Sequence, residues 1–511
     1  MEFINLPNEI WRLWEKPEAD RSIKNYQWRK FSAKNFLASD ISQEKKYVFM
    51  NDDKGSMFVP SHGFIEVMWN ASKDANTAFT TANLASLNGS AASLFRTLLI
   101  EFGQTKVEES SNVARKAQIM SYLNMSDDYN ERNAFQYARD TDCSGAGNVE
   151  MVTGTLTATV DTTATTTATG ITFTNGGIGI ARENLSYNRG LWRRINSIIV
   201  ADTDQMIHSY IPLEVISDFC QSYPYFVTGT SFKIELGTNS PNEIIQVLAH
   251  SVISNTTAVG SPYVWIDDIQ LWMPTCEPTV PLSSEILDNI KKQIPAFIPY
   301  VKRELSDCGN PIANTTSLFK YSWTPRGKKP TKCILLLQRD DAVGNPYHNP
   351  HNYGLGGTMT CVTTNSGDSD KYTTTGAYAN PYNAIDGYLT CNLKLNGKKV
   401  QDDDFRFGTG TKKDYARVYE AYCRMAGAEP YIGKMPAISY DEFYKHFSAF
   451  CFDLSTLTET IEGITTSWQF EADFSAGGNA SANFRIWALV EMEETITVNP
   501  AEGNMVILSS Y

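Results

Sequence analysis

One local pattern is written twice in this chain. Ile100-Glu-Phe-Gly-Gln-Thr-Lys-Val107 and Leu393-Lys-Leu-Asn-Gly-Lys-Lys-Val400 both run apolar, charged, apolar, two turn residues, polar, lysine, valine. Alternation is the period of a strand with one buried face, and Gly-Gln or Asn-Gly turns the chain back, so each segment reads as a hairpin. The likeness continues downstream. Ile211-Pro-Leu213 opens a short helix ending near Phe219, followed by Phe232-Lys-Ile234-Glu-Leu236 and Trp265-Ile266. Ile438 opens another ending near Phe447, followed by Trp468-Gln-Phe470-Glu-Ala-Asp-Phe474 and Phe484-Arg-Ile486. Strand, turn, helix and strand recurring in one order predict a duplicated all-β domain.

Composition agrees and narrows the function. The 511 residues are enough for two cores, and 12% aromatics with abundant Thr, Asn and Gly favour strands and turns. A net charge of −13 suits a chain that does not wrap nucleic acid, because phosphate binding draws on Lys and Arg. If it encloses a genome, it does so as a wall. The nine cysteines are scattered, with no CxxC and no zinc spacing, so free thiols in a reducing compartment are expected. Met-Glu-Phe-Ile-Asn-Leu-Pro lacks the features of a signal peptide, and no run approaches the ~20 apolar residues of a membrane span. The chain is therefore expected not to be secreted. Sequons such as Asn255-Thr-Thr257 then read as chance matches.

Three segments interrupt the repeat. Residues 1–40 hold Trp11, Trp14 and Trp28, and from Arg21 through Lys24, Arg29, Lys30 and Lys34 no acid occurs before Asp40. This predicts either a helix packed on its own domain or an N-terminal arm that reaches a neighbour or an inner layer. Between the hairpin and the aromatic-ended helix the first half is 66 residues longer than the second. That excess holds Thr153–Thr174, with twelve threonines, many at alternate positions, which reads as an inserted surface hairpin or tower within 140–179. Between the halves, Pro274, Pro278 and Pro281 precede Ser283 or Ser284, either of which can cap a helix bearing Ile286, Leu287, Ile290 and Ile294. Helices are also expected on Val113, Ala117, Met120 and Leu123, and on Tyr415, Val418, Tyr419 and Tyr422 ahead of Gly427. Ser439 and Glu442 form a capping box, and Pro212 suits the first turn of the matching helix.

Catalytic vocabulary is scarce. Gly408-Thr-Gly410-Thr-Lys412-Lys413 has the wrong spacing for a phosphate loop and reads as a surface turn. His348-Asn-Pro-His351, near Asp340 and Asp341, is the best metal candidate, but a turn-rich stretch does not aim the rings at one point. Asp402-Asp-Asp404 offers hard oxygens for calcium without any EF-hand spacing, so a solvated turn is the plainer reading. No catalytic, metal or cofactor-binding residue is singled out, and the chain is expected not to be an enzyme.

The order of the segments carries a resemblance. Ser93-Leu94-Phe95 runs into a strand and turn. Asn188-Arg-Gly-Leu-Trp-Arg193-Arg194 precedes Ile211-Pro-Leu213 and the helix ending at Phe219. Gly229-Thr-Ser-Phe232 opens an alternating strand, Trp323-Thr-Pro325 and Lys329-Pro330 precede Cys333–Leu337, and Phe447 leads to Phe452-Asp453-Leu454. In this order they resemble the double jelly-roll major capsid proteins of eukaryotic double-stranded DNA viruses, in the branch that includes polinton-like viruses and virophages. The resemblance covers most of 45–500; the threonine-rich insert and the tryptophan-rich N-terminus lie outside it.

It implies two tandem jelly-roll β-sandwiches with short helices in the connections. The corresponding division is an arm at 1–40, a first roll at 41–275 with the insert near 140–179, a proline-bounded helical linker at 276–312 and a second roll at 313–511. It also implies a homotrimer with six similar lobes, a pseudo-hexameric capsomer that tiles an icosahedral shell, and a place in the virion after assembly inside the host cell. The partners would be neighbouring capsomers, penton and minor capsid proteins. An inner membrane or packaged DNA would meet the basic arm. Three rivals share parts of this pattern. A carbohydrate-binding or adhesin protein built of tandem sandwiches should carry a secretion signal, a glycoside hydrolase needs a carboxylate pair across a cleft, and a minor capsid or spike protein is typically a single roll.

Overall fold

In the computed structural model, the described residues lie between 23 and 508, apart from short loop stretches and the longer segments 126–149, 152–177, 180–205, 248–261, 361–376, 380–387, 458–466 and 475–482. Among the described residues, the eight longest strands of the first half are β1 (Ile23–Ser32), β2 (Lys46–Asn51), β3 (Phe64–Asp74), β4 (Phe95–Phe102), β5 (Thr105–Ser111), β6 (Ile207–Pro212), β7 (Phe232–Thr238) and β8 (Tyr263–Pro278). They pair as β1-β8-β3-β6 and β2-β7-β4-β5, antiparallel throughout. First pairs with eighth, second with seventh, third with sixth and fourth with fifth. This nesting makes a jelly roll of two facing sheets.

The second half repeats it. Its strands are β9 (Ala296–Asp307), β10 (Leu318–Trp323), β11 (Pro330–Arg339), β12 (Tyr388–Leu395), β13 (Lys398–Lys399), β14 (Phe405–Gly408), β15 (Phe450–Asp453), β16 (Trp468–Phe474) and β17 (Phe484–Ala501). They pair as β9-β17-β11-β15 and β10-β16-β12-β13, with β14 also on β12 and a further strand, β18 (Asn504–Leu508), on β17. The chain is a double jelly roll.

The two hairpins read from the sequence occupy matching places, down to the residue. Ile100 of β4 lies opposite Ile234 of β7, and Leu393 of β12 lies opposite Phe470 of β16. On the far side, Ile234 faces Phe49 and Phe470 faces Tyr321. Because strand side chains alternate, a slip of one residue would turn each apolar set outward. The register is therefore set by the alternation that made the segments recognisable. Asn396 (φ 50°) and Gly397 (φ 82°) both adopt left-handed backbone, as a two-residue hairpin turn requires.

The boundaries expected from sequence shift at three places. Ile23–Ser32, assigned to an arm within 1–40, is the first strand of the first roll, paired from Ile23↔Pro278 to Ser32↔Gln270. Its alternation is broken at Asn25 (φ 53°), where the register shifts, and most of its side chains are exposed, so no strand signal showed. The segment 276–312 is only partly a linker. Strand β8 runs on to Pro278, and β9 begins at Ala296. The connecting helix starts at Val280, ahead of Ser283 and Ser284. Pro299 sits inside β9 opposite Thr495, which is tolerated because β9 is an edge strand with one neighbour.

Among the described residues the connecting helices include α1 (Val113–Asn124), α2 (Leu213–Ile216), α3 (Asp218–Ser222), α4 (Val280–Lys291) and α5 (Ala416–Met425), with one more turn of helix at Pro241–Ile244. Helices α1 and α5 fall on the residues expected of them. Gly427 (φ 64°) ends α5, with the Ala428 N–H reaching back to the Cys423 carbonyl. Pro212 ends β6 and lies just before α2 instead of within its first turn. Phe443 N–H bonds the Ser439 carbonyl, while Glu442 of the capping box lies outside the described residues. So does Thr153–Thr174, although Glu150–Met151 and Ile178–Gly179, on either side of it, pair with one another. The seven described cysteines are unpaired, and five of them are buried. Replacing Gly397 by valine should cost about 1–2 kcal/mol, the price of left-handed backbone in a residue with Cβ. Urea unfolding should show a lower midpoint; an unchanged midpoint would mean the turn does not fix the second hairpin.

Candidate functional site: the junction of the two rolls

The charge-bearing, buried part of the molecule is the seam between the rolls, and α1 is its wedge. Val113 and Ala117 belong to the core of the first roll, whereas Ile119, Tyr122 and Leu123 belong to the core of the second. A helix usually buries one stripe; this one is buried from Val113 to Leu123 except at Met120. Arg115, 4% exposed, enters the second roll. Its Nη1 donates to Gln338 Oε1 (2.8 Å), the Pro350 carbonyl (2.6 Å) and the Tyr353 hydroxyl (3.1 Å), and its guanidinium lies 4.1 Å from the centroid of the Trp487 ring. Tyr422 of α5 donates to the Tyr122 carbonyl at 2.7 Å, and the Tyr122 ring stacks on Phe447 at 4.6 Å.

Next to Arg115, Lys116 points the other way into a chain of alternating charge. Its Nζ is 2.8 Å from Asp218 Oδ2 and 3.3 Å from Glu108 Oε1, with all three side chains almost fully buried. Glu108 also accepts from Ser217 Oγ (2.6 Å) and from the N–H groups of Asp218 and Phe219 (3.1 Å each). Asp218 accepts from the Arg303 N–H (2.9 Å) and pairs with its guanidinium (3.3 Å). Arg303 then pairs with Glu491 (3.0 Å), and Glu491 with Lys332 (2.9 Å). The first three residues come from β5, α1 and α3 of the first roll, the last three from β9, β17 and β11 of the second. Burial alone pulls the Lys116 pKa down, but the Asp218 and Glu108 carboxylates outweigh it and hold it above the usual lysine value.

Above this chain lies a cleft of about 820 Å³ between β5 and the strands β9 and β17. Lys46 and Glu235 (3.1 Å) pair along its first-roll wall, and Lys302 and Glu494 (3.0 Å) along its second-roll wall. The Tyr300 hydroxyl lies 3.1 Å from the Val107 carbonyl and 2.9 Å from Glu494 Oε2, and burial, with the Glu494 charge beside it, pushes its pKa up. A lining of mixed charges already paired is a seam between bodies and is unlike the apolar cavity of a cofactor site.

The residues weighed from sequence are scattered. Asp340 pairs with Arg485 at 2.5 Å, and His351 is buried near the junction, whereas His348 and Asp341 lie outside the described residues. Asp404 takes Lys399 (2.7 Å) and Asn392 (2.8 Å), and Asp403 faces Arg417 at 3.9 Å across a solvated turn. Gly408 and Asp414 bridge the ends of the glycine-rich turn. Among the described residues no three His, Cys, Asp or Glu side chains gather to hold a metal. The junction itself was not anticipated. Its one sequence signal is that Arg115 and Lys116 are the only charges in α1 and sit side by side.

No family model matches the sequence, and no curated protein does. Solved structures do. PBCV-1 VP54, fitted into a reconstruction of the virophage Sputnik, superposes with a TM-score of 0.50 at 9% identity over 97% of this chain and 100% of that one. A chain of the Sputnik virophage structure gives 0.48 at 10% over 98% and 92%, and the mavirus major capsid protein gives 0.39 at 11% over 94% and 90%. At 9% identity the likeness to VP54 is one of fold.

Removing one member of a buried charge chain leaves its partners unpaired, so Lys116→Met should cost about 3–5 kcal/mol. The raised lysine pKa means that folding stabilises the charged form. That contribution is complete below the ordinary value of 10.5 and is lost as pH climbs through the higher folded-state value. The gap between wild type and Lys116→Met, read by urea unfolding, should hold from neutral pH to about 10.5 and narrow only above it. A gap that closes nearer neutrality would remove Lys116 from the account of the junction.

Proposed function

We propose that this chain is a major capsid protein whose copies close into a homotrimer and tile an icosahedral virus shell. The observation that carries the reading is the pair of rolls with one nested strand order in a single chain, a fold shared with PBCV-1 VP54. A building block needs rigid walls more than a pocket. Nested strands over two cores, locked together by a buried wedge and a charge chain, supply such walls. Two similar rolls per chain and three chains give six similar lobes, and closure by rotation leaves no open end. The role is structural, not catalytic.

In this reading the chain belongs in the virion, assembled inside the host cell, against neighbouring capsomers, penton and minor capsid proteins. The net charge of −13 fits a wall and not a spool. Residues 1–22, ahead of β1, are what remains of the arm, and with Lys24, Arg29 and Lys30 they are the part suited to an inner membrane or packaged DNA. The threonine-rich insert stands on the outer face or at a lobe edge, tethered where residues 150–151 pair with 178–179.

Obligate interfaces often bury above ~2,000 Å² in total, so the trimer should survive dilution. Light scattering at low concentration should give three times the mass of the chain, with shells or hexagonal particles in negative stain. A stable single chain at all concentrations would rule the capsid role out. Deleting Thr153–Thr174 should still give particles of three chains; loss of soluble protein would make that segment part of the roll.

A further inference from the structure

One group of side chains in the junction is more than packing requires. Among the described residues, Lys116 makes the most deeply buried lysine–carboxylate contacts: its side chain is 2% exposed, that of Glu108 3% and that of Asp218 5%. Apolar residues of similar size would seal the seam at least as well as buried charges do. The arrangement is also reactive. A primary amine, the carboxyl carbon of a neighbour held against it and a second carboxylate to move protons are the parts that make an amide. Lys116 Nζ lies 2.8 Å from Asp218 Oδ2 and 3.3 Å from Glu108 Oε1. The Asp218 carboxyl is held on both oxygens, by the Arg303 N–H at Oδ2 (2.9 Å) and by the Arg303 guanidinium at Oδ1 (3.3 Å). Glu108 is fixed by the Ser217 hydroxyl and by the N–H groups of Asp218 and Phe219.

We propose that Lys116 and Asp218 condense into an isopeptide bond inside the first roll, with Glu108 carrying the proton. The ion pair described above is the state before reaction. A proton first passes from Nζ to Oδ2 along their hydrogen bond, which turns two buried charges into a neutral amine and a neutral acid, the forms that burial favours. Nζ then attacks Asp218 Cγ, and the charge that develops on Oδ1 faces the Arg303 guanidinium. Glu108 Oε1 takes a second proton from the nitrogen and returns it to Oδ2. The Cγ–Oδ2 bond breaks, one water leaves, and the third hydrogen stays on the amide nitrogen. Ammonium and carboxylate become amide and water, so no proton is gained or lost overall and no oxidant is needed. The raised Lys116 pKa keeps in the site the proton that the water carries off. A cavity of about 240 Å³ lined by Lys116, Asp218 and Gln221 lies beside the pair and receives that water. The charges left behind keep partners, Glu108 its three donors and Arg303 the Glu491 carboxylate. The bond ties α1 to α3 across 102 positions of sequence, a span that includes the threonine-rich insert. A cross-link over so long a loop acts mainly by constraining the unfolded chain. The wedge then stays joined to its roll even where the insert is cut.

The test is the mass of the full chain, purified and then denatured. It should be one water lighter than its sequence. Trypsin should release a branched peptide in which residues 116–132 are joined to residues 195–233, with no cleavage after Lys116. A wild-type chain at full sequence mass would overturn the inference. So would a missing water without the branched peptide, since an aspartate that closes on its own backbone loses the same mass. Lys116→Arg should keep its full sequence mass, and a variant that still loses the water would count against the bond equally. Glu108→Gln should slow joining by at least about a hundredfold, followed as the fraction of branched peptide over time. Joining at the wild-type rate would remove Glu108 from the reaction; if that variant does not fold, the wild-type peptide still decides whether the bond exists. The alkaline narrowing expected above belongs to the unjoined pair and should vanish once the bond has formed. The bond forms within one chain, so a chain that carries it and never assembles would sink the capsid reading alone, and shells built from unjoined chains would sink this inference alone.

Discussion

Lys116 cannot be buried alone. A lone ammonium taken out of water would cost several kcal/mol, so every element around it must arrive in place. Glu108 comes from β5, Asp218 from α3 and Arg303, behind Asp218, from the second roll. Satisfying one lysine therefore fixes a strand, a helix and the seat of a whole second sandwich. The apolar contacts of Ile119 and Tyr122 on one side, and of Ile298, Tyr300 and Ile496 on the other, draw the rolls together, but such contacts are non-directional. The charge chain, with Arg115 in its cage of neutral acceptors, is what makes one orientation of the rolls better than its neighbours.

How much of this could be read from the sequence depended on the range of the physics involved. Strands with one buried face announce themselves by alternation, so Ile100–Val107 and Leu393–Val400 were legible, and so was the duplication. Helices α1 and α5 showed through their apolar spacing. Strand β1 did not, because it lies at an edge, is exposed from Lys24 to Trp28 with a kink at Asn25, and alternates only over its last four residues, where Phe31 reaches the core. The prolines near 274–299 suggested a linker because Pro is a breaker on average. An edge strand is the exception, and being at an edge is a property of the sheet, not of the residue. The junction was out of reach for the same reason: Glu108 and Asp218 are ordinary acids until the fold brings Lys116 between them.

Duplication gives two rolls the same parts, yet the parts have come to different uses. The sheet that is exposed and aromatic in the first roll is sealed in the second, and the helix that is sealed in the first is half exposed and charged in the second. The difference follows from covalent order alone. Within one chain a single contact between the rolls can form, so one sheet and one helix are used up and one of each is left over.

The wedge also has a place in time. Helix α1 is made early, but the residues that cover its second face, Tyr353, Phe447 and Trp487, come more than two hundred positions later. At ~5–20 residues per second, tens of seconds pass between synthesis of Ile119 and of its last neighbours. For the later part of that interval, once β8 has been made, the first roll has all its strands and an unfinished flank at Arg115, Ile119 and Tyr122. Translation thus leaves a folded half whose most adhesive surface is waiting for the same polypeptide. On a crowded polysome the second roll of the correct chain must win that surface against every neighbour being made beside it. Its advantage is the tether, which holds it close to the one flank it is built to fit.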